Sequence, residues 1–207
     1  MSAAKRVLRK LQQTVPGSCL CKDVLVLSPM EHIIRGFLFD RTVLKGRYYF
    51  WKFAMPLYDP ESLIILSYGL RIPNDETFQI SEENEDEVTE KIRKIIADGH
   101  LSDLRSVAKP GDFLEHMHHV PGFRARAFTI DVALTKYMMG EARECKDILE
   151  KELAIDDGMT LSPQAKAAGA LLDDLKKNPE NARRRIEGWE RANIEKLGLA
   201  KAMGKIA

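Results

Sequence analysis

Five consecutive residues, Glu115-His116-Met117-His118-His119, form the densest group of candidate metal ligands in the sequence. If they are helical, Glu115, His116 and His119 project together from the side opposite the apolar residues. Histidines three positions apart on one helix face can both reach a metal ion, and the adjacent carboxylate can act as a third ligand or as a general base. The pattern therefore predicts, as one hypothesis, a metal-dependent hydrolase.

This hypothesis requires at least one further ligand, for which Asp112 and His100 are the candidates. The H-E-x-x-H pattern of zinc proteases is absent, and a short helix with a histidine-rich polar face would give the same sequence. We therefore expect no cofactor and keep a divalent metal as the alternative. The sequence patterns typical of acyl transfer, nucleotide hydrolysis and dinucleotide binding are also absent, so the sequence leaves open whether the protein is an enzyme.

A second group of candidate functional residues lies in the segment 31–73, where charged and aromatic side chains are interleaved with strand-like sequence. The group consists of Arg35, Arg47, Tyr48, Lys52, Tyr68 and Arg71. On one face of a sheet these side chains would form a surface suited to an anionic ligand or to an acidic partner protein. The competing interpretation is that they lie at strand ends and extend their charged groups into water.

A third group is the basic run near the C-terminus, which contains three consecutive arginines at 183–185. Three consecutive residues fan across about 200° of a helix, so these side chains cannot all line one groove. Glu187 and other glutamates of the same segment are spaced to pair with them. Nucleic-acid binding through this helix is the weakest of the three hypotheses, and it predicts strongly salt-dependent association.

The segment 31–73 also organises the predicted fold. It contains three runs of aromatic and β-branched residues separated by turn-like sequence, which predicts a three-stranded antiparallel meander. The run at 19–28 reads as one more buried strand, giving a sheet of three to four strands. The middle run is apolar on both faces, so we expect other elements to cover both sides of the sheet.

Helical patterns account for the remaining chain. An N-terminal helix is predicted over 4–14, and a helix with Ser81 as N-cap follows the meander. The other predicted helices cover 101–108, 113–119, 124–139, 141–155, 163–176 and 180–197. The sequence thus predicts an α+β protein, with the N-terminal helix and sheet in 1–80 and helical hairpins in 81–207, packed on the sheet as one globular unit.

Composition favours an ordinary soluble protein, with 44% hydrophobic and 30% charged residues. No apolar run has the length of a membrane span, and the three cysteines form no disulfide framework, so we expect a cytoplasmic location. Basic ends flank an acidic middle: residues 1–22 carry five Lys/Arg and no acid, and 176–207 carry nine Lys/Arg against four glutamates. These features predict a non-catalytic protein-interaction module, such as an adaptor, inhibitor or immunity-type protein, whose partner is another protein.

Overall fold

The computed structural model describes residues 1–60, 64, 66–74, 76–120, 128–155 and 162–200. Within this part of the chain the protein is α+β, with a six-stranded antiparallel sheet. The strands are β1 (Ser18–Cys21), β2 (Val24–Leu27), β3 (Ile33–Arg41), β4 (Arg47–Pro56), β5 (Gly69–Arg71) and β6 (Thr77–Gln79). The helices are α1 (Ala3–Thr14), α2 (Glu85–Ile95), α3 (Leu101–Ser106), α4 (Pro110–Met117), α5 (Thr129–Met138), α6 (Ala142–Leu153), α7 (Pro163–Lys177) and α8 (Pro179–Leu197). The predicted fold class is confirmed, but the predicted strand number is too low.

The first four strands lie side by side in sequence order, and the long strand β4 then has two short partners along its other edge. β5 pairs with the middle of β4, placing Trp51 opposite Arg71. β6 pairs with the start of β4, placing Tyr49 opposite Thr77. Two successive three-residue strands thus occupy the position expected for one longer strand.

The prediction of one strand over 19–28 is wrong, because the chain reverses at Lys22 and Asp23 to form the β1–β2 hairpin. Lys22 adopts a positive φ of 54°, as one residue of a tight two-residue turn often must. A glycine or asparagine in the sequence would have suggested a positive φ at this turn, but a lysine does not.

The third strand of the predicted meander, its last run before residue 73, is also largely wrong. Leu66–Tyr68 forms a 3-10 turn, and only Gly69–Arg71 pairs with the sheet. Residues 61–63 and 65 lie outside the described chain. The missed strand β6 is three residues long, too short to show a period of two clearly.

The middle strand is buried on both faces, as its sequence predicts. Phe50 and Phe53 point to opposite faces of β4, and both are fully buried. On the first face Phe50 stacks on Phe37 of β3, with ring centroids 5.6 Å apart and the rings 8° from parallel. Burial of several aromatic rings against one another makes this cluster the centre of the hydrophobic core around the sheet.

The N-terminal helix is confirmed and ends at Thr14, just before the Pro16-Gly17 pair. The predicted N-cap of α2 is wrong, since that position belongs to Asn84. The side chain of Asn84 accepts a hydrogen bond from the backbone N–H of Ser81, 2.8 Å away. Ser81 therefore lies in the turn before the helix and does not begin it.

The predicted hairpin bends in the helical region are confirmed where they are described. Gly140, with φ of 86°, separates α5 from α6. Pro179 is the first residue of α8, and the side chain of Asn178 accepts from the backbone N–H of Glu180 at 3.0 Å. Proline fits this place because the first helical residue needs no intrahelical N–H bond.

The described residues fall into two compact units. The first unit contains 1–55, 64–108 and 198–200, and therefore the sheet with α1, α2 and α3. The second contains 56–60 and the described part of 109–197, and therefore α4 to α8. In neither unit does any described helix have the length and apolar character required to cross a membrane.

Candidate functional site

The most distinctive surface of the first unit is formed by Tyr49, Trp51 and Arg71, here called the aromatic–arginine strip. The guanidinium carbon of Arg71 lies 3.9 Å from the ring centroid of Tyr49 and 5.0 Å from that of Trp51. Arg71 is exposed, whereas both rings are half-buried. The strip thus displays a cation held against two aromatic faces, an arrangement stabilised by the electrostatic attraction between a cation and a ring.

Strand alternation and pairing position the three side chains. Tyr49 and Trp51 are two residues apart on β4 and so share a face, and the register places Arg71 directly across from Trp51. The close approach of β5 depends on Gly69, where an added Cβ would lie only 2.8 Å from the carbonyl oxygen of Lys52. A glycine before Arg71 therefore allows the short strand to reach the register that forms the strip.

Three of the six residues predicted to form a single surface are instead buried. Arg35 is 1% exposed, Lys52 is 7% exposed and Tyr68 is 2% exposed. Arg35 donates hydrogen bonds to the carbonyl oxygens of Val107 and Pro29, and Lys52 pairs with the carboxylate of Asp103. These two cations tie the sheet to α3 and the residue that follows it, so they serve the fold of the first unit.

The other predicted residues of that surface are divided between the two faces of the sheet. Tyr48 is half-buried beside Phe39, with ring centroids 6.0 Å apart. Arg47 precedes it by one residue and is exposed, so it projects from the opposite face. The prediction of one continuous polar and aromatic surface is wrong because neighbouring residues in a strand point to opposite sides.

The histidine cluster lies at the end of α4 in the second unit. The helix ends at Met117, and His119 lies in the turn that follows it, with its backbone N–H donating to the carbonyl oxygen of His116 at 3.0 Å. His116 is 8% exposed and belongs to the buried side of α4 with Phe113, whereas Glu115 and His119 are exposed. The structure therefore does not present Glu115, His116 and His119 as one exposed face.

The two candidate additional ligands have other surroundings. Asp112 accepts a hydrogen bond at 2.8 Å from the backbone N–H of Lys109, the residue before α4, and so closes the first turn of that helix. His100 belongs to the first unit, where burial lowers its pKa and the positive charge of Lys52 lowers it further. Across the described ranges, no three or more His, Cys, Asp or Glu side chains are grouped so that they could hold a metal ion.

The basic segment near the C-terminus carries several internal ion pairs. Arg183 pairs with Glu187 one turn later on α8, at 2.9 Å. Arg185 pairs with Asp174 on α7 at 2.6 Å, and Lys176 with Glu150 at 2.9 Å. Much of the positive charge in this segment is therefore balanced locally, and the consecutive arginines point in different directions.

Tyr49 and Trp51 were missed as candidate functional residues by reasoning from sequence. Both have odd residue numbers on β4 and therefore lie on the same face as Arg47. Strand alternation alone predicts this shared face. The contact with Arg71 could not be predicted from sequence, because it depends on the register between β4 and β5.

No protein-family model, curated protein or solved structure matches the chain.

Proposed function

We propose that this protein is a non-catalytic interaction module that binds an acidic segment of a partner protein through the aromatic–arginine strip. The observation that carries the proposal is the position of Arg71, exposed and held 3.9 Å from the ring of Tyr49 beside Trp51. Tryptophan, tyrosine and arginine are the residue types that contribute most often and most strongly to protein interfaces.

The chemistry of the strip favours a carboxylate ligand. The planar guanidinium group of an arginine matches the geometry of a carboxylate, which makes arginine the cation most often found opposite an acid at protein interfaces. The two rings are half-buried in the sheet, so little side-chain freedom would be lost on binding. Apolar groups next to the acid of the partner would pack on the exposed edges of Tyr49 and Trp51.

The experiment compares the proteins captured by the full chain and by the Arg71→Ala variant, each immobilised at the same density and identified by mass spectrometry. A partner enriched by the unaltered chain is then purified, and its affinity is measured by calorimetry for both forms. We expect Arg71→Ala to weaken binding about thirtyfold or more, the loss typical of a central interface residue. Arg71→Lys keeps the charge but not the planar stack, and we expect it to recover only part of the affinity.

Arg191→Ala is the matched control, because Arg191 is also exposed and its loss changes net charge equally. We expect it to bind the partner with unchanged affinity. A captured partner that binds equally to the Arg71 and Arg191 variants would overturn the assignment of the strip. Turnover of a small-molecule substrate that is lost on His116→Ala or His119→Ala would overturn the non-catalytic function itself.

A further inference from the structure

The loop between β3 and β4 displays apolar side chains to water at a fixed position. Val43 is fully exposed and Leu44 is 56% exposed, although both are large and apolar. The two residues are adjacent in the loop that joins β3 to β4. Single exposed apolar residues are common on protein surfaces, so the pair becomes informative only together with the charges around it.

Three cations surround this apolar tip. Arg41, Lys45 and Arg47 are all exposed, and within the described chain none of their side chains forms an ion pair. Asp40 is the single acid in residues 40–47, so the loop has a net charge of +2. A shallow cavity of ≈ 450 Å³ is lined by residues 41–48, and the three cations belong to its wall.

The acidic run after β6 does not supply the missing counter-charges. Glu82 and Glu85 pair with Arg6 of α1, at 3.0 and 2.6 Å. Lys10 of the same helix pairs with Asp86 at 2.8 Å. These acids are therefore engaged with α1, and the positive charge around the tip remains available to an external anion.

Backbone hydrogen bonds hold the tip in shape. Thr42 donates from its backbone N–H to the carbonyl oxygen of Arg47 at 3.0 Å, and its hydroxyl accepts from the backbone N–H of Leu44 at 3.1 Å. Gly46 has a φ of 74°, a left-handed backbone conformation that glycine adopts without strain and other residues rarely adopt. The apolar pair is thus presented by a loop whose conformation is already set, which reduces the entropy lost on binding.

We propose that this loop binds the surface of an anionic phospholipid membrane, with Val43 and Leu44 entering the boundary between headgroups and acyl chains. Arg41, Lys45 and Arg47 then lie at the level of the lipid phosphates, where each contributes electrostatic attraction. A soluble acidic protein would match the cations but would not account for the two exposed apolar side chains that lie between them in the loop. The small inserted area makes the binding reversible and leaves the sheet above the membrane surface.

The test is co-sedimentation of the full chain with vesicles of phosphatidylcholine alone and with vesicles that also contain phosphatidylserine. We expect binding only to the anionic vesicles, falling as salt is added because the attraction is screened. The double variant Val43→Ser, Leu44→Ser should bind at least about tenfold more weakly, since two apolar side chains no longer leave water. Met139→Ser is its control, an exposed apolar residue of the second unit that should leave binding unchanged.

A second set of variants tests the contribution of the three loop cations to membrane binding. Replacing Arg41, Lys45 and Arg47 by Gln should weaken binding roughly a hundredfold, or about fivefold for each charge. The same change at Arg9, Arg184 and Arg191, three exposed cations elsewhere, lowers net charge equally and should have little effect.

Val43→Phe enlarges the inserted apolar surface and should strengthen binding several-fold, while the protein alone stays in the supernatant. Absence of binding to anionic vesicles would overturn the proposal. Equal loss in the loop variants and their controls would overturn it as well. Complete competition by inorganic phosphate, with no effect of the Val43 and Leu44 changes, would show a soluble-anion site instead.

Discussion

The guanidinium group of Arg35, on β3, donates a hydrogen bond to the carbonyl oxygen of Val107, the residue that follows α3. A second nitrogen of the same group donates to the carbonyl oxygen of Pro29 at 2.9 Å. The arginine is almost completely buried, and it joins β3 both to the chain just before it at Pro29 and to Val107, which is 72 residues further along the sequence. The sequence predicts Arg35 to be part of an exposed surface, but its buried hydrogen bonds stabilise the fold of the first unit.

Loss of this arginine should reduce stability strongly. Arg35→Met keeps most of the side-chain volume but leaves two carbonyl oxygens without their charged donor, so we expect the free energy of unfolding to fall by about 2–4 kcal/mol. Arg47→Met is the matched control, because that side chain is exposed, and its effect should stay within about 0.5 kcal/mol. Urea unfolding followed by fluorescence measures both, with Trp189 replaced by Phe so that the signal comes from Trp51 in the first unit. Equal effects at the two positions would contradict the buried role of Arg35.

Gly36 is required by the close approach of β2 to β3. A Cβ at this position would lie 2.1 Å from the carbonyl oxygen of Leu25, a separation that backbone atoms must move to relieve. We expect Gly36→Ala to lower the free energy of unfolding of the first unit by about 1–3 kcal/mol.

Gly188→Ala is the control and should raise the free energy of unfolding. Gly188 lies inside α8 with nothing within 4 Å of its added Cβ, and alanine favours a helix over glycine by about 1 kcal/mol. Thermal unfolding of the two variants distinguishes these outcomes, and a stable Gly36→Ala protein would show that the strands can separate at no cost.

The ion pair between α1 and α2 predicts a pH-dependent contribution to stability. Hydrogen bonding to Arg6 at 2.6 Å, opposed in part by burial, lowers the pKa of Glu85 below its ordinary value near 4.5. A carboxyl whose pKa is lower in the folded state stabilises that state above its unfolded pKa, and this contribution is lost as pH falls through the folded pKa. Glu85→Gln should therefore destabilise the protein at neutral pH and have progressively less effect below pH 4.5.

Glu87→Gln is the control for this measurement, since Glu87 lies in the same first turn of α2 and is exposed. It shares any favourable interaction with the helix dipole, so the difference between the two variants isolates the bonds to α1. Urea unfolding at a series of pH values gives both curves. A constant difference between them across the acidic range would contradict the lowered pKa.

Sequence patterns predicted the elements whose signals are local. The apolar face of α1, the two-sided burial of β4 and the bends at Gly140 and Asn178 all depend on residues close together in the chain. The β1–β2 turn was missed because Lys22 adopts a glycine-like conformation without a glycine. Local sequence could not predict which residues of the sheet are buried, since buried Lys52 pairs with Asp103, 51 residues away in the chain.

The candidate site was predictable only in part, because it combines strand alternation with pairing register. Alternation alone separates Arg47 from Tyr48 and groups Tyr49 with Trp51. The stacking of Arg71 on these rings requires β5 to pair with the middle of β4, and a shift of one residue would turn Arg71 to the other face. The exposure of the Val43-Leu44 pair likewise becomes visible only when the loop conformation is known.

In the second unit, Asn193 of α8 is the best single position at which to test the packing of the chain that follows β4. Its side-chain amide nitrogen donates to the carbonyl oxygens of Leu57 and Asp59, at 2.6 and 2.7 Å, and the residue is completely buried. Asn193→Asp keeps the shape but replaces the donor by an oxygen that faces two carbonyl oxygens. We expect at least about 3 kcal/mol of destabilisation at neutral pH, because a buried carboxylate there has lost both bonds and opposes negative dipoles.

The same variant should be less destabilised in acid. Burial raises the pKa of the introduced carboxyl, so the penalty is smallest below about pH 4, where the folded and unfolded chains are both protonated, and grows as pH rises toward the folded pKa. A protonated carboxyl can still donate to only one of the two carbonyl oxygens, so part of the penalty remains in acid. Asn181→Asp, on the exposed side of the same helix, changes charge equally and should shift stability by no more than about 0.5 kcal/mol. Urea unfolding followed by fluorescence measures this difference, with Trp51 replaced by Phe so that the signal comes from Trp189. A penalty at Asn193 that matches Asn181 and does not vary with pH would mean that the two short hydrogen bonds do not hold α8 to the chain after β4.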